Sequence, residues 1–216
     1  MTAILATVPQ VEPDPPQHIV LHGMSWEFYE KLLEEIGDGA TRVTYDRGNL
    51  EIMSPLPTHE TISGLIAAFL RILTLEMNIP MRSGGSTTFR KRKRRKGLEP
   101  DECFWIQHEA QVREIDRLDP PPDLAVEIDI TWRSIPRQPI YAALGVPELW
   151  RYAGGKLTVL LLQSDGKYHE AERGLAFPFL KMADVERFLA MAGTMDETSL
   201  IRAWWEWVKT LPKPKS

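Results

Sequence analysis

Two acids stand in a segment that otherwise reads as core. In Leu124-Ala125-Val126-Glu127-Ile128-Asp129-Ile130 the alternation of a strand sets Leu124, Val126, Ile128 and Ile130 on one face, and Ala125, Glu127 and Asp129 on the other. If the second face lies in a cleft or interior, each ionised carboxylate loses roughly several kcal/mol of hydration unless a cation or metal is paired with it. An open, solvated sheet face is the alternative. A further acid, Asp101, sits at the edge of the apolar segment Pro100-Asp101-Glu102-Cys103-Phe104-Trp105-Ile106. The chain between Asp101 and Glu127 is long enough for one strand, a looped or helical excursion, and a return strand beside the first. Adjacent strands lie about 4.8 Å apart, so carboxylates near matching ends can converge on one divalent ion. An all-oxygen ligand set favours magnesium, or manganese, over zinc.

The second chemical feature is charge. Arg90, Lys91, Arg92, Lys93, Arg94, Arg95 and Lys96 are consecutive in a chain whose net charge is −4, so an acidic body carries one basic spike. Such a spike can hold a polyanion even when the whole chain repels it, because phosphate contacts release counterions one by one. A solvated hairpin tip is the alternative reading.

The elements that must position these residues are legible in outline. Residues 1–18 carry Pro9, Pro13, Pro15 and Pro16 among small and acidic residues and read as a disordered tail, leaving 19–216 as one domain. Ser25 is placed to cap a helix through Phe28, Leu32, Leu33 and Ile36 that stops at Gly37. A hairpin over Arg42 to Tyr45 and Leu50 to Met53 turns at Asp46-Arg47-Gly48-Asn49. Thr58 then caps a long helix with its stripe at Ile62, Leu65, Ile66, Phe69, Leu70 and Leu73. Strands are expected at Thr87 to Arg90, Cys103 to Ile106 and Leu124 to Ile130, followed by a short helix that Pro136 and Pro139 introduce and Gly145 ends. Strands at Glu148 to Tyr152 and Leu157 to Gln163, an edge strand at Lys167 to Ala171, and helices over Ala183 to Ala192 and Thr198 to Thr210 complete an α/β pattern.

Composition narrows the class. At 43% apolar and 26% charged, 216 residues can bury a sizeable core without disulfides or a structural metal. Cys103 is alone and cannot form an intrachain bridge, which favours a reducing compartment. The longest apolar runs, Leu65 to Leu70 and Leu157 to Leu162, are far short of a membrane span, and no basic region precedes the Ile4-Leu5 patch. A cytoplasmic protein is expected.

Pro100-Asp101 followed by Glu127 in a hydrophobic strand resembles the PD-(D/E)XK nuclease superfamily. More specific are Leu50-Glu51-Ile52-Met53-Ser54-Pro55 with His59 after it, Pro122-Asp123-Leu124 leading into Glu127, and Tyr141 to Gly145-Val146-Pro147-Glu148-Leu149-Trp150. In that order these words resemble the Uma2 family of restriction endonucleases. The resemblance implies a restriction-endonuclease-like mixed β-sheet flanked by α-helices, and hydrolysis of DNA phosphodiester bonds with Mg²⁺, or Mn²⁺, held by Asp101 and Glu127. His59 and Glu60 fall in the first turn of the long helix, where the superfamily places another acid. Glu60 would suit the metal or its water, and His59 a metal ligand or water-positioning group; helix N-termini also favour such residues for the macrodipole alone. Glu51 is a weaker candidate that a solvated hairpin explains equally well.

The chain departs from the superfamily at its lysine. The position two beyond Glu127 is Asp129, and the family's lysine position four before the tyrosine is Arg137. Arginine keeps the charge and cannot act as a base, yet it can hold a phosphate and offset transition-state charge. Asp129 is a further metal ligand or a partner of Arg133 or Arg137. The expected activity is therefore a Mg-dependent endodeoxyribonuclease with Asp101, Glu127, Arg137 and His59 at its centre. The alternative is a nuclease fold that has lost turnover and binds nucleic acid. Seven cations on one hairpin offer few contacts, so a homodimer is expected to bring two arms to one duplex, with the Trp204 to Val208 face as candidate contact.

Overall fold

The computed structural model describes residues 18–37, 41–114, 118–129 and 134–213. The expected tail lies outside these residues except for His18, which already belongs to a strand; Ile130 and Arg133 also lie outside them. The chain runs through β1 (His18–Leu21), α1 (Trp26–Ile36), β2 (Arg42–Asp46), β3 (Asn49–Met53) and α2 (Pro57–Met77). Next come β4 (Arg82–Ser83), β5 (Phe89–Lys91), β6 (Lys96–Leu98), β7 (Glu102–Trp105), β8 (Leu124–Ile128) and α3 (Gln138–Leu144). It ends with β9 (Glu148–Ala153), β10 (Lys156–Leu162), β11 (Tyr168–Ala171), α4 (Met182–Leu189) and α5 (Glu197–Val208).

Local chemistry accounts for most of these boundaries. The Ser25 hydroxyl accepts the Phe28 N–H at 3.0 Å and opens α1, and Gly37, with φ 60°, closes it. β2 and β3 are joined by Arg47-Gly48, both left-handed at φ 49° and 101°, which is the two-residue turn whose twist matches a hairpin. α2 starts at Pro57, one residue before the Thr58 cap read from the sequence. Leu56 occupies the cap position with no side-chain bond, and Pro57 lacks the N–H that would need one.

Two sheets result. The smaller has the order β1-β3-β2-β6-β5 and is antiparallel throughout; the larger has the order β11-β10-β9-β8-β7-β4. Within the larger sheet β8 and β9 are parallel and every other pair is antiparallel. A parallel pair needs a crossover, and α3 lies on it. The sequence reading missed β1, β4 and β6. β4 has two residues, and Lys96-Gly97-Leu98 has no apolar alternation because its charged member is buried through an ion pair.

Helices cover the sheets. α1 lays Trp26 and Tyr29 onto Val43, Tyr45 and Leu50 of the small sheet, with Tyr29 and Tyr45 stacked at 4.9 Å. A Cβ at Gly97 would meet the Tyr29 hydroxyl at 2.3 Å, so β6 needs glycine there. α2, α4 and α5 cover one face of the large sheet through Leu65, Phe69, Leu73, Phe188 and Trp204. α3 and the β5–β6 hairpin cover the other through Ile140, Leu144, Phe89 and Leu98. Each fully buried aliphatic or Phe side chain here contributes roughly 1.5–3 kcal/mol. Trp204 stacks on Phe69 at 4.6 Å and donates its indole N–H to the Phe69 carbonyl, while Val208 is fully buried. The face nominated for a dimer contact is thus core at both of its ends. Among the described residues no helix is long and apolar enough to cross a membrane.

Candidate active site

β8 is buried along its whole length, with Leu124, Val126 and Ile128 packed in the core under α2 and Ala125 in the core under α3. Glu127 belongs to the α3 side and is 5% exposed. β7 and β8 pair with Glu102 opposite Val126, and one step further brings Asp101 level with Glu127. The Asp101 N–H donates to the Val126 carbonyl at 3.2 Å, and its Oδ2 accepts the Ile128 N–H at 2.7 Å. Its side chain is wholly buried. The structure therefore sets the two predicted acids level with each other on neighbouring strands, both buried.

Arg137 and Tyr141 close over them. Arg137 precedes α3, and its Nε lies 3.2 Å from Oε1 of Glu127. A terminal nitrogen of the same guanidinium donates to the Glu99 carbonyl, and the Tyr141 hydroxyl donates to Glu127 Oε1. The guanidinium stands 5.9 Å from the centre of the Tyr141 ring. Burial alone would lower the Arg137 pKa; the Glu127 carboxylate, with Asp101 and Asp129 acting the same way, outweighs this and holds it above its ordinary value. Burial, and then Glu127, push the Tyr141 hydroxyl well above its usual range, so it stays a proton donor. Arg137 was nominated by position; Tyr141 was not nominated, although it is one helical turn beyond Arg137 and so on the same side.

The first turns of α2 hold Asp101 from the opposite side. His59, 1% exposed, places Nε2 at 3.0 Å from Asp101 Oδ2, and Ser63, one turn later, donates its hydroxyl to the Asp101 carbonyl at 3.3 Å. Ser63 escaped the sequence reading; its signal was a polar residue four after His59 on an otherwise apolar stripe. Glu60 points elsewhere. Successive helical residues turn by about 100°, and Glu60 bonds Arg42 at 3.3 Å, half exposed, with His59 Nδ1 at 3.7 Å from its carboxylate. The His59 ring therefore bonds Asp101 through one nitrogen and faces Glu60 with the other.

One expectation changes, and one residue left open gains a partner. Glu51 is not a solvated hairpin residue: it is 3% exposed, and its Oε1 accepts the Ser134 N–H at 2.7 Å, tying β3 to the segment that leads into Arg137. Asp129 forms an ion pair with Arg151 of β9, Oδ2 to Nε at 2.6 Å, and also acts on the Arg137 charge; Arg133, the other nominated partner, lies outside the described residues. β8 and β9 run parallel with Glu127 opposite Arg151, which places that arginine within reach.

A cleft of about 640 Å³ opens beside these groups, lined by Glu127, Arg137 and Tyr141, by Ile135, Pro136 and Pro139 before and at the start of α3, and by Leu149 and Leu160 of the sheet. Among the described residues no three His, Cys, Asp or Glu side chains are gathered into a cation cage. Magnesium does not require one: it keeps several waters and is commonly held by one or two carboxylates together with substrate phosphate. The oxygen donors of Asp101 and Glu127 fit such an ion, and Glu60 is not gathered with them.

The basic run is less free than its sequence suggests. Arg92 bonds Glu27 and Glu30 at 2.6 and 3.2 Å, Lys91 donates to the Leu144 carbonyl at 2.7 Å, Arg95 donates to the Tyr45 hydroxyl, and Lys96 is buried on Asp46 at 2.7 Å. Arg90, Lys93 and Arg94 have no ion pair among the described residues. Lys91 sits at the C-terminal end of α3 and Arg137 at its start, so the hairpin lies roughly 10 Å from the site along a seven-residue helix.

A family model described as a putative restriction endonuclease, Uma2, matches residues 26–194, more than three quarters of the chain. No curated protein matches it.

Proposed function

Since the chain belongs to the Uma2 family, we propose that it is a metal-dependent endonuclease that hydrolyses DNA phosphodiester bonds. The observation that carries this reading is the pair Asp101 and Glu127, buried level with each other on β7 and β8 beside a cationic Arg137 and an open cleft. Asp101 and Glu127 would hold Mg²⁺, or Mn²⁺, which supplies an activated water and neutralises charge on the phosphate.

The remaining work belongs to the chain. His59 and the Ile128 N–H orient the Asp101 carboxylate, and Tyr141 and Arg137 orient that of Glu127. The buried Arg137 guanidinium would offset charge on the phosphate from beside Glu127. A guanidinium cannot take the proton of an attacking water, and its part is electrostatic. Arg90, Lys93 and Arg94 guide the strand by its phosphates. A homodimer that presents two such hairpins belongs to the same proposal. Its contact would be at exposed Leu75 and Trp205, where the Trp205 indole bonds Glu76, rather than at Trp204 and Val208.

Asp101→Ala and Glu127→Gln should each abolish nicking of DNA in Mg²⁺ while thermal unfolding remains cooperative. Nicking that persists in both variants, or in chelator, would assign it elsewhere. The Arg137–Glu127 ion pair also supports a second reading, a nuclease fold that binds DNA without turnover; binding with no cleavage in either Mg²⁺ or Mn²⁺ would favour it.

A further inference from the structure

We infer that Glu51 is a positioning residue for Arg137: through the Ser134 N–H it fixes the segment that enters α3, and so sets where the guanidinium stands against Glu127. The inference rests on the nuclease reading above. β3 buries Leu50 beneath α1, so strand alternation turns Glu51 to the opposite face of the small sheet, beside Thr44 of β2 and Val20 of β1. There it is 3% exposed, and its Oε1 accepts the Ser134 N–H at 2.7 Å across 83 positions of sequence.

Little slack separates Ser134 from Arg137. Ile135 is buried in one cluster with Ile140 and Leu144 of α3, and the ring of Pro136 locks its own φ. α3 has seven residues, and Arg137 at its cap position makes no side-chain capping bond, so the helix supplies no anchor for its own start. The small sheet holds that start twice. Glu51 of β3 takes the backbone ahead of Arg137, and the Glu99 carbonyl, just past β6, takes the guanidinium itself. Glu127 of the large sheet meets the same guanidinium at 3.2 Å. A carboxyl group moved from water into the core contributes little to stability, whereas a fixed acceptor at this place contributes alignment. Misplacing a group at the site by about 1 Å can cost about 100-fold in rate.

Two variants of the full chain separate position from charge and from packing. Glu51→Gln keeps a carbonyl oxygen for the Ser134 N–H, and Glu51→Leu roughly keeps the volume and removes the acceptor. Glu51→Leu should unfold at the wild-type denaturant midpoint or above it, yet cleave DNA with kcat about 10–100-fold lower and KM within about twofold, because the hairpin cations are untouched. Glu51→Gln should stay within about threefold of the wild-type rate. Amide exchange in chelator gives a readout apart from cleavage. The Ser134 N–H should be protected in the wild type and in Glu51→Gln, and should exchange at least about tenfold faster in Glu51→Leu. A Ser134 amide that exchanges freely in the wild type overturns the proposal whether or not either variant folds. So does Glu51→Leu at the wild-type rate, and so does an equal loss in both variants, which would make the charge of Glu51 the working feature. If the exchange pattern holds and the wild type cleaves in neither Mg²⁺ nor Mn²⁺, the nuclease reading fails and the tether stands; cleavage indifferent to Glu51→Leu does the reverse.

Discussion

Arg137 Nε lies 3.2 Å from Glu127 Oε1, and the Tyr141 hydroxyl bonds the same oxygen. One carboxylate oxygen thus receives both a buried cation and a hydroxyl donor. Arg137 is a permanent charge that is also a structural strut between Glu127 and the Glu99 carbonyl.

Arg137→Lys is expected to lose rather than gain. A single ammonium cannot serve Glu127 and the Glu99 carbonyl in the planar geometry of a guanidinium, so denaturant unfolding should show a loss of about 1–3 kcal/mol. Arg137→Ala, which strands a buried carboxylate, should cost about 3–5 kcal/mol. The wild-type cleavage profile should contain no ionisation from position 137, and the lysine variant should add one. A large gain in rate with lysine would instead show that arginine weakens the site.

Tyr141→Phe keeps the ring and removes the donor from Glu127. The expected loss is about 1–2 kcal/mol of stability and about tenfold in cleavage rate, since a loosely oriented carboxylate no longer presents its oxygens in one place. An unchanged rate at saturating Mg²⁺ would reduce Tyr141 to packing.

Changing Arg90, Lys93 and Arg94 together to Gln should weaken DNA binding equally across sequences and lower the salt slope by about 2–3, one unit or slightly less per lost phosphate contact. Neutralising Arg92, Lys91 and Lys96 should instead disturb the hairpin's attachment to α1, α3 and β2. If the first set leaves both affinity and slope intact, the hairpin is solvated surface.

Glu102 sets a pH dependence in metal-free protein. Burial first, and then Asp101 and Glu60 against the opposing pull of Arg71, lift its carboxyl to about 7 from 4.5. An acid raised in the fold favours folding while protonated, so its contribution is present below about pH 4.5 and is lost as pH rises through about 7. Glu102→Gln should match the wild type at pH 4 and exceed it by about 1–2 kcal/mol at pH 8, after allowance for its partial exposure. Parallel unfolding curves at both pH values would refute this.

Glu148, fully buried at the start of β9, accepts the Trp150 indole N–H at 2.6 Å and the backbone N–H groups of Leu175 and Ala176 at 2.6 and 2.8 Å. Glu148→Gln turns a donor toward donors and should cost about 2–3 kcal/mol by denaturant unfolding. A neutral substitution would mean the 174–176 segment re-forms around the amide.

Residue order alone determined the local periodicities. The alternation from Leu124 to Ile128, the stripe of α2, the Ser25 cap and the Arg47-Gly48 turn each follow from propensities acting over a few residues, and they singled out Asp101 and Glu127 as acids in apolar strands. The tertiary structure decided which distant groups meet. His59 on Asp101, Glu51 on Ser134, Asp129 on Arg151 and Lys96 on Asp46 depend on strand register and helix placement, which no short window contains. The same holds for β6 and for the basic run. A charged residue appears solvated in sequence until the fold supplies the partner that makes its burial affordable, and that partner is chosen by packing across the whole chain.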